Sequence, residues 1–442
     1  MILLTLFLFA SVIPIQAQCD VPSSGSYQKI GAKTGYFSAD VQDYDYFGSC
    51  VSLAGDVDGD SVVDIVVGAN GDDSGGDTKG AIYVLFLKTT GHVHSLQKIS
   101  ATSGLFTAQL DIYDYFGSAA CDMTGLNTDA YVDIAVGAHG DDDGGSARGC
   151  VYILSLNSLG EVHSFAKISN LVESFTAELH DSENFGTSLA NAGDLNGDGV
   201  TDLLVGSPNK NDGLTKAGAL YILFLDTTGS VDFHQKISRN NGGFTGALYT
   251  NDYFGKSVCP IWDLDGDGWN DMVVGATGDD DGGTDIGAVY VIFTNYEFKA
   301  KSFQKISSTL GSFTGIVSGA NSLGFANALV GDLNEDGNAD IMTGSHGADD
   351  PSSNIGAVYI LFLSASGSCL SHQKLGATAG PFSFDLTQSD SFGYSVSNLG
   401  DLNGDLIGDA VVGAILDSIS GSSYTGSVYV VFGTGGNFCL FF

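Results

Sequence analysis

Residues 254–276 read FGKSVCPIWDLDGDGWNDMVVGA. A phenylalanine–glycine pair opens a strand-length apolar run, an acidic loop of spacing D-x-D-x-D-G-x-x-D follows, and a second β-branched run ends in Gly275-Ala276. The same order returns along the chain. Phe47-Gly48, Phe116-Gly117, Phe185-Gly186 and Phe392-Gly393 stand in register with Phe254-Gly255, Leu323-Gly324 fills the remaining place, and the step is always 69 residues. Lys29, Lys98, Lys167, Lys236, Lys305 and Lys374, in Q-K-I or a close variant, keep that step. So do the glycines opening G-A-x-Y or a variant at Gly80, Gly149, Gly218, Gly287, Gly356 and, one residue late, Gly426. Three markers sharing one period define a repeat array.

Within one repeat, SCVSLAG, DIVVGA, AIYVLFL and SLQKIS are strand-length runs rich in Val, Ile, Tyr and Phe, separated by Asp, Gly, Asn and Ser. They predict four strands per repeat. Sixty-two glycines against 6 prolines fit many short strands joined by tight turns. The expected fold is all-β, a β-propeller of six four-stranded blades, since a β-solenoid has much shorter rungs and radial repetition leaves only short edges. The Q-K-I strand precedes the first Phe-Gly and is missing after residues 426–432, so residues 26–31 are expected to complete the last blade and close the ring. Two segments follow: 1–18 as a signal peptide and 19–442 as a single propeller domain of six 69-residue repeats.

The net charge of -36, from 52 acidic and 16 basic residues, disfavours nucleic acid and anionic lipid as partners. Residues 1–18, MILLTLFLFASVIPIQAQ, read as a secretory leader ending in the small residue Ala17. No later segment is long enough to insert into a membrane directly. The 7 cysteines form no C-x-x-C pair. Cys50, Cys121, Cys150, Cys259 and Cys369 read as buried thiols, whereas Cys19 and Cys439 flank the closing strands and are candidates for a disulfide.

Each acidic loop has the donor set of a hard divalent cation. Side chains at loop positions 1, 3, 5 and 9 and the carbonyl of position 7 supply oxygen, and glycine at position 6 permits the reversal. The loops comprise Asp56, Asp58, Asp60, Val62 and Asp64; Asp194, Asn196, Asp198, Val200 and Asp202; Asp263, Asp265, Asp267, Trp269 and Asp271; Asp332, Asn334, Asp336, Asn338 and Asp340; and Asp401, Asn403, Asp405, Ile407 and Asp409. Flexible oxygen coordination favours Ca²⁺ over Mg²⁺, and the absence of His and Cys argues against zinc and copper. An EF-hand would need Glu at position 12, where Val67, Val205 and Val274 stand. Ser61 and Leu406 replace the position-6 glycine, so those two loops are expected to bind less tightly. In the second repeat Gly125 takes the first position, leaving Asn127, Asp129 and Asp133, and that loop is expected to be weak or empty. About five Ca²⁺ sites result.

Phe-Gly, then an Asp-rich loop, then Gly68-Ala69, Gly137-Ala138, Gly206-Ser207-Pro208 or Gly275-Ala276 resembles the FG-GAP repeat of integrin α-subunit propellers, over nearly all of residues 26–432. The resemblance implies a calcium-bearing propeller that recognises extracellular ligands. The chain departs from integrins in having one blade fewer and longer repeats, and the motif's final proline stands only at Pro208.

His94 and His163 share one repeat position and His139 and His346 another, which reads as architecture. H-E-x-x-H, G-x-S-x-G and the phosphate-binding G-x-x-x-x-G-K are absent. A propeller hydrolase acting on polysaccharide through paired carboxylates is the alternative function; it requires an axial acid unique to one blade, and none is evident. The expectation is a non-enzymatic, secreted adhesion module for a protein or glycan. Strand parity puts the loops 71–77, 140–146 and 278–285 on the face opposite the acidic loops, where with Tyr44, Tyr46, Tyr113, Tyr115, Asp252 and Tyr253 they would form an acidic, aromatic rim.

Overall fold

The computed structural model describes residues 27–433 apart from 173, 316–320, 380–384 and 419–423. The expected leader and the pair Cys19 and Cys439 lie outside the described residues. The 24 strands form six four-stranded antiparallel sheets, and the described residues contain no helix. Blade one is Phe47–Gly55, Asp64–Ala69, Ala81–Leu87 and Val93–Ser100, in that order across the sheet. The next four blades repeat this meander, and the first strands of neighbouring blades pack beside one another around the axis.

Burial explains the sequence pattern. The second and third strands of blade one, DIVVGA and AIYVLFL, are buried along their whole length because blades flank them on both sides. They therefore read as unbroken apolar runs without alternation. The outermost strand, VHSLQKIS, exposes its middle. Each apolar cluster draws on two adjacent blades: Val66, Ile82 and Val84 of blade one pack with Phe116, Val136 and Tyr152 of blade two. The core lies between blades, so no blade buries its own apolar faces alone.

The glycines of the repeat have a steric cause. A Cβ on Gly206 would lie 2.0 Å from the carbonyl oxygen of Gly255 in the next blade, and one on Gly68 would lie 2.1 Å from that of Gly117. The Gly of each Gly-Ala thus touches the Gly of the next blade's Phe-Gly, a contact that admits no side chain. Hydroxyls add to the same joints: Ser188 donates to the Gly255 carbonyl (3.0 Å), Ser257 to Gly324 (2.7 Å) and Ser395 to Gly48 (2.8 Å). The phenylalanine beside each glycine is fully buried, as at Phe47, Phe116 and Phe254.

Closure follows the expected register. Tyr27–Gly31 pairs antiparallel with Ser427–Val431, matching Lys29 to Tyr429 and Ile30 to Val428. Lys29 also reaches Asp417 at 2.5 Å, as the equivalent lysines do in other blades. Cys50, Cys121, Cys150, Cys259 and Cys369 are buried free thiols. Six of the 8 histidines lie against rings: His163 stacks on Tyr131 with centroids 4.0 Å apart, and His139 on Tyr115 at 4.9 Å.

Candidate metal centres and the opposite face

The acidic loops connect the first and second strands of their blades. In blade one, Oδ1 of Asp56 accepts the N–H groups of Gly59 (2.8 Å) and Asp60 (2.9 Å), while Oδ2 accepts that of Ser61 (2.9 Å). The Val62 N–H donates to Asp60 (2.8 Å). Asp64 is buried at the start of the second strand, where its two oxygens take N–H groups from Val57 (2.9 Å) and from Leu87 at the end of the third strand (3.0 Å). That double bond pins the loop to the sheet. Asp202, Asp271, Asp340 and Asp409 are held in the same way, and Asp194, Asp263, Asp332 and Asp401 cap their own loops as Asp56 does.

Backbone donors fix these carboxylates without neutralising them. Burial, with the neighbouring loop carboxylates adding to it, raises Asp64, Asp202 and Asp340 to about 7, and Asp271 and Asp409 to about 6. The carboxylate oxygens of Asp56, Asp58 and Asp64 lie within 4.8 Å of one another, as do those of Asp263, Asp265 and Asp267. Pinned, convergent oxygens with excess negative charge fit a hard divalent cation.

The loops differ at the places singled out in the sequence. Ser61 (φ 70°) and Leu406 (φ 68°) adopt the left-handed backbone that Gly199, Gly268 and Gly337 adopt in their siblings. Each costs roughly 1 kcal/mol relative to glycine. In the second repeat Asn127 donates to Asp133 (3.0 Å), and Ser155 donates to its other oxygen at 2.5 Å, so neutral groups of the chain satisfy the closing carboxylate. One feature escaped the sequence reading: Lys301 of the outermost strand of blade four pairs with Asp265 (2.8 Å) and Asp267. Only the folded sheet brings a lysine more than 30 residues away onto the loop.

On the opposite face, most acids of the second-to-third-strand loops are already engaged. Lys167 bridges Asp141 (2.7 Å) and Asp143 (2.8 Å), and Asp142 caps its own loop by accepting the Ala147 N–H (2.7 Å). Lys305 bridges Asp279 and Asp281, both at 2.6 Å, and Lys98 pairs with Asp72. These lysines also lie 5.3–5.6 Å from the ring centroids of Tyr152, Tyr290 and Tyr83, their cross-strand partners. The repeated lysine, noticed in the sequence only as a spacing marker, is thus the counter-ion of the loops. The acidic rim is thus partly internal: Asp72, Asp141, Asp143, Asp279 and Asp281 have lysine partners, while Asp73, Asp77, Asp142, Asp280 and Asp285 stay exposed. Blade three inverts the arrangement, with Lys210 at the place of Asp72 pairing with the buried Glu183 (2.7 Å). Tyr44 and Tyr113 remain about half exposed on this face, 53% and 51%, and beside Asp141–Asp143 lies a cavity of about 430 Å³.

Six radial sheets with acidic loops on one face, two of which bring three carboxylates together, define the class, a β-propeller with candidate metal loops. Comparison with known proteins specifies it further. The FG-GAP repeat family model matches residues 185–223, 254–292 and 325–361, and a second FG-GAP repeat model matches residues 37–86. Integrin alpha-5 of Xenopus laevis is 30% identical over 250 residues, 55% of this chain and 21% of the relative. Integrin alpha-6 of Gallus gallus is 32% identical over 169 residues, 38% of this chain and 14% of the relative. Integrin alpha-PS2 of Drosophila melanogaster is 29% identical over 248 residues, 55% of this chain and 16% of the relative. The matches span about a fifth or less of these relatives' length. The chain is a β-propeller that carries FG-GAP repeats and is related to integrin alpha subunits.

Proposed function

We propose that the protein is a secreted, calcium-binding recognition module, a rigid disc that adheres to an extracellular protein or glycan. The observation carrying this reading is the set of five acidic loops whose position-9 carboxylates are pinned by backbone N–H groups, with three carboxylates converging in those of blades one and four. The side chains at positions 1, 3, 5 and 9 and the carbonyls of Val62, Val200, Trp269, Asn338 and Ile407 would hold Ca²⁺. The cation would supply charge neutralisation and a cross-link between loop and sheet. The apolar segment 1–18 supports secretion, and the relation to integrin alpha subunits supports adhesion. Polysaccharide hydrolysis finds no support at the axis, because the residues lining the axial cavity include no carboxylate.

Calcium binding is tested by thermal melting in excess Ca²⁺ and in excess chelator. The melting temperature is expected to fall by more than 5 °C on chelation, a drop of roughly 4 kcal/mol or more for a chain of this size. Asp58→Ala should remove part of that difference and Asp129→Ala almost none; identical curves with and without chelator would refute the reading. Recognition is tested on glycan and extracellular-protein arrays probed with and without Ca²⁺. Tyr44→Ser and Tyr113→Ser should weaken capture while leaving melting unchanged.

A further inference from the structure

In every blade the residue just after Phe-Gly, or its Leu-Gly equivalent, lines one cavity of about 110 Å³ on the axis: Ser49, Ser118, Thr187, Lys256, Phe325 and Tyr394. These positions lie at the start of the innermost strands, so the cavity sits toward the face opposite the acidic loops. Four properties set it apart. It has no carboxylate in its lining, although the chain carries 52 acidic residues. Lys256 breaks the symmetry of the ring as the one cation among the six positions. Its ammonium lies 4.2 Å from the centroid of the Phe325 ring and, among the described residues, makes no ion pair or hydrogen bond. Finally, buried acceptor or donor atoms at the wall are unpartnered, Nδ1 of His139 and Oδ1 of Asn327.

Lys256 is half-buried and its ammonium has no counter-charge beside it, so its hydration is restricted to the cavity, and the face of one ring offsets only part of that cost. Burial lowers Lys256 to about 8 and His139 to about 4, the latter helped by the Lys256 charge. His139 is thus a neutral imidazole that offers one N–H. We infer that the axial cavity binds one small monovalent anion, a halide or a simple carboxylate, with Lys256 as its counter-charge and His139 at its wall. One positive charge matches a monoanion. The cavity is larger than a single water needs and far smaller than pockets that take sugars or nucleotides.

The probes are sodium bromide and sodium acetate, titrated at an ionic strength held constant with sodium gluconate, whose anion is too large for the cavity. Bromide, acetate or both should raise the melting temperature of the wild type saturably, by about 2–4 °C. Whichever acts identifies halide or carboxylate chemistry. Lys256→Arg should retain the shift and Lys256→Gln should lose it. A crystal of the unaltered protein soaked in bromide should show an anomalous peak beside the Lys256 ammonium, which keeps the test independent of whether the variants fold. An equal shift in Lys256→Gln, no shift with either anion, or a peak without any solution shift (binding at crystal concentration only) would overturn the assignment.

Discussion

At the residue scale, the buried acid two places before Phe-Gly has its own titration. Burial, with Asp72 nearby, raises Asp45 from 3.8 to about 7, despite the N–H bond from Gln42 and the charge of Lys98. Asp114 is raised to about 7, and Asp252 and Asp390 to about 6, for the same first cause. A raised carboxyl keeps its proton in the folded state over a range where the unfolded chain has lost it. Its contribution is therefore full below about pH 4 and disappears as pH rises through 7. Asp45→Asn keeps the acceptor for Gln42 without the charge, so its stability relative to wild type should rise between pH 5 and 8 by on the order of 1 kcal/mol. A pH-independent difference in melting temperature would contradict this. None of it was legible beforehand, because only the fold shows that Asp45 is enclosed. Lys256 was missed for a related reason, since the axial position was searched for an unmatched acid and the unmatched residue is a base.

At the scale of elements, the strands and loops were readable because each follows a local rule. Doubly buried strands read as apolar runs, and loops read as spaced oxygen donors. The contacts between elements were not readable. The Gly-Ala glycine stood out only as part of the repeat motif, yet its requirement is the carbonyl of the neighbouring blade. Gly206→Ala should thus destabilise the protein by about 3 kcal/mol, because the new methyl meets both the Gly255 carbonyl and Ser188. Gly197→Ala, in open space but at φ 79°, should cost only about 1 kcal/mol. Equal losses in urea unfolding would mean that backbone conformation, and not the blade-to-blade contact, sets the requirement. Lys301 gives a second case. Removing its charge in Lys301→Met should tighten cation binding at the fourth loop, measured by calcium titration against wild type, because Asp265 and Asp267 no longer have an internal counter-ion.

At the scale of the whole molecule, blade number and closure followed from counting markers, because each repeat contributes one phase-locked copy of every strand. The six clusters between blades make the ring a single cooperative unit with no independent blade core. Deleting residues 27–31 should make the protein associate further through the bare edge of Ser427–Val431, seen as an increase in light scattering over the full chain. The closing strand also imposes an order in time. Tyr27–Gly31 leaves the ribosome some 400 residues before its partner is synthesised. At roughly 5–20 residues per second it waits, solvated, for at least about 20 s. During that wait Gln28 and Lys29 keep the nascent edge polar, and the ring joins only when the final strand arrives.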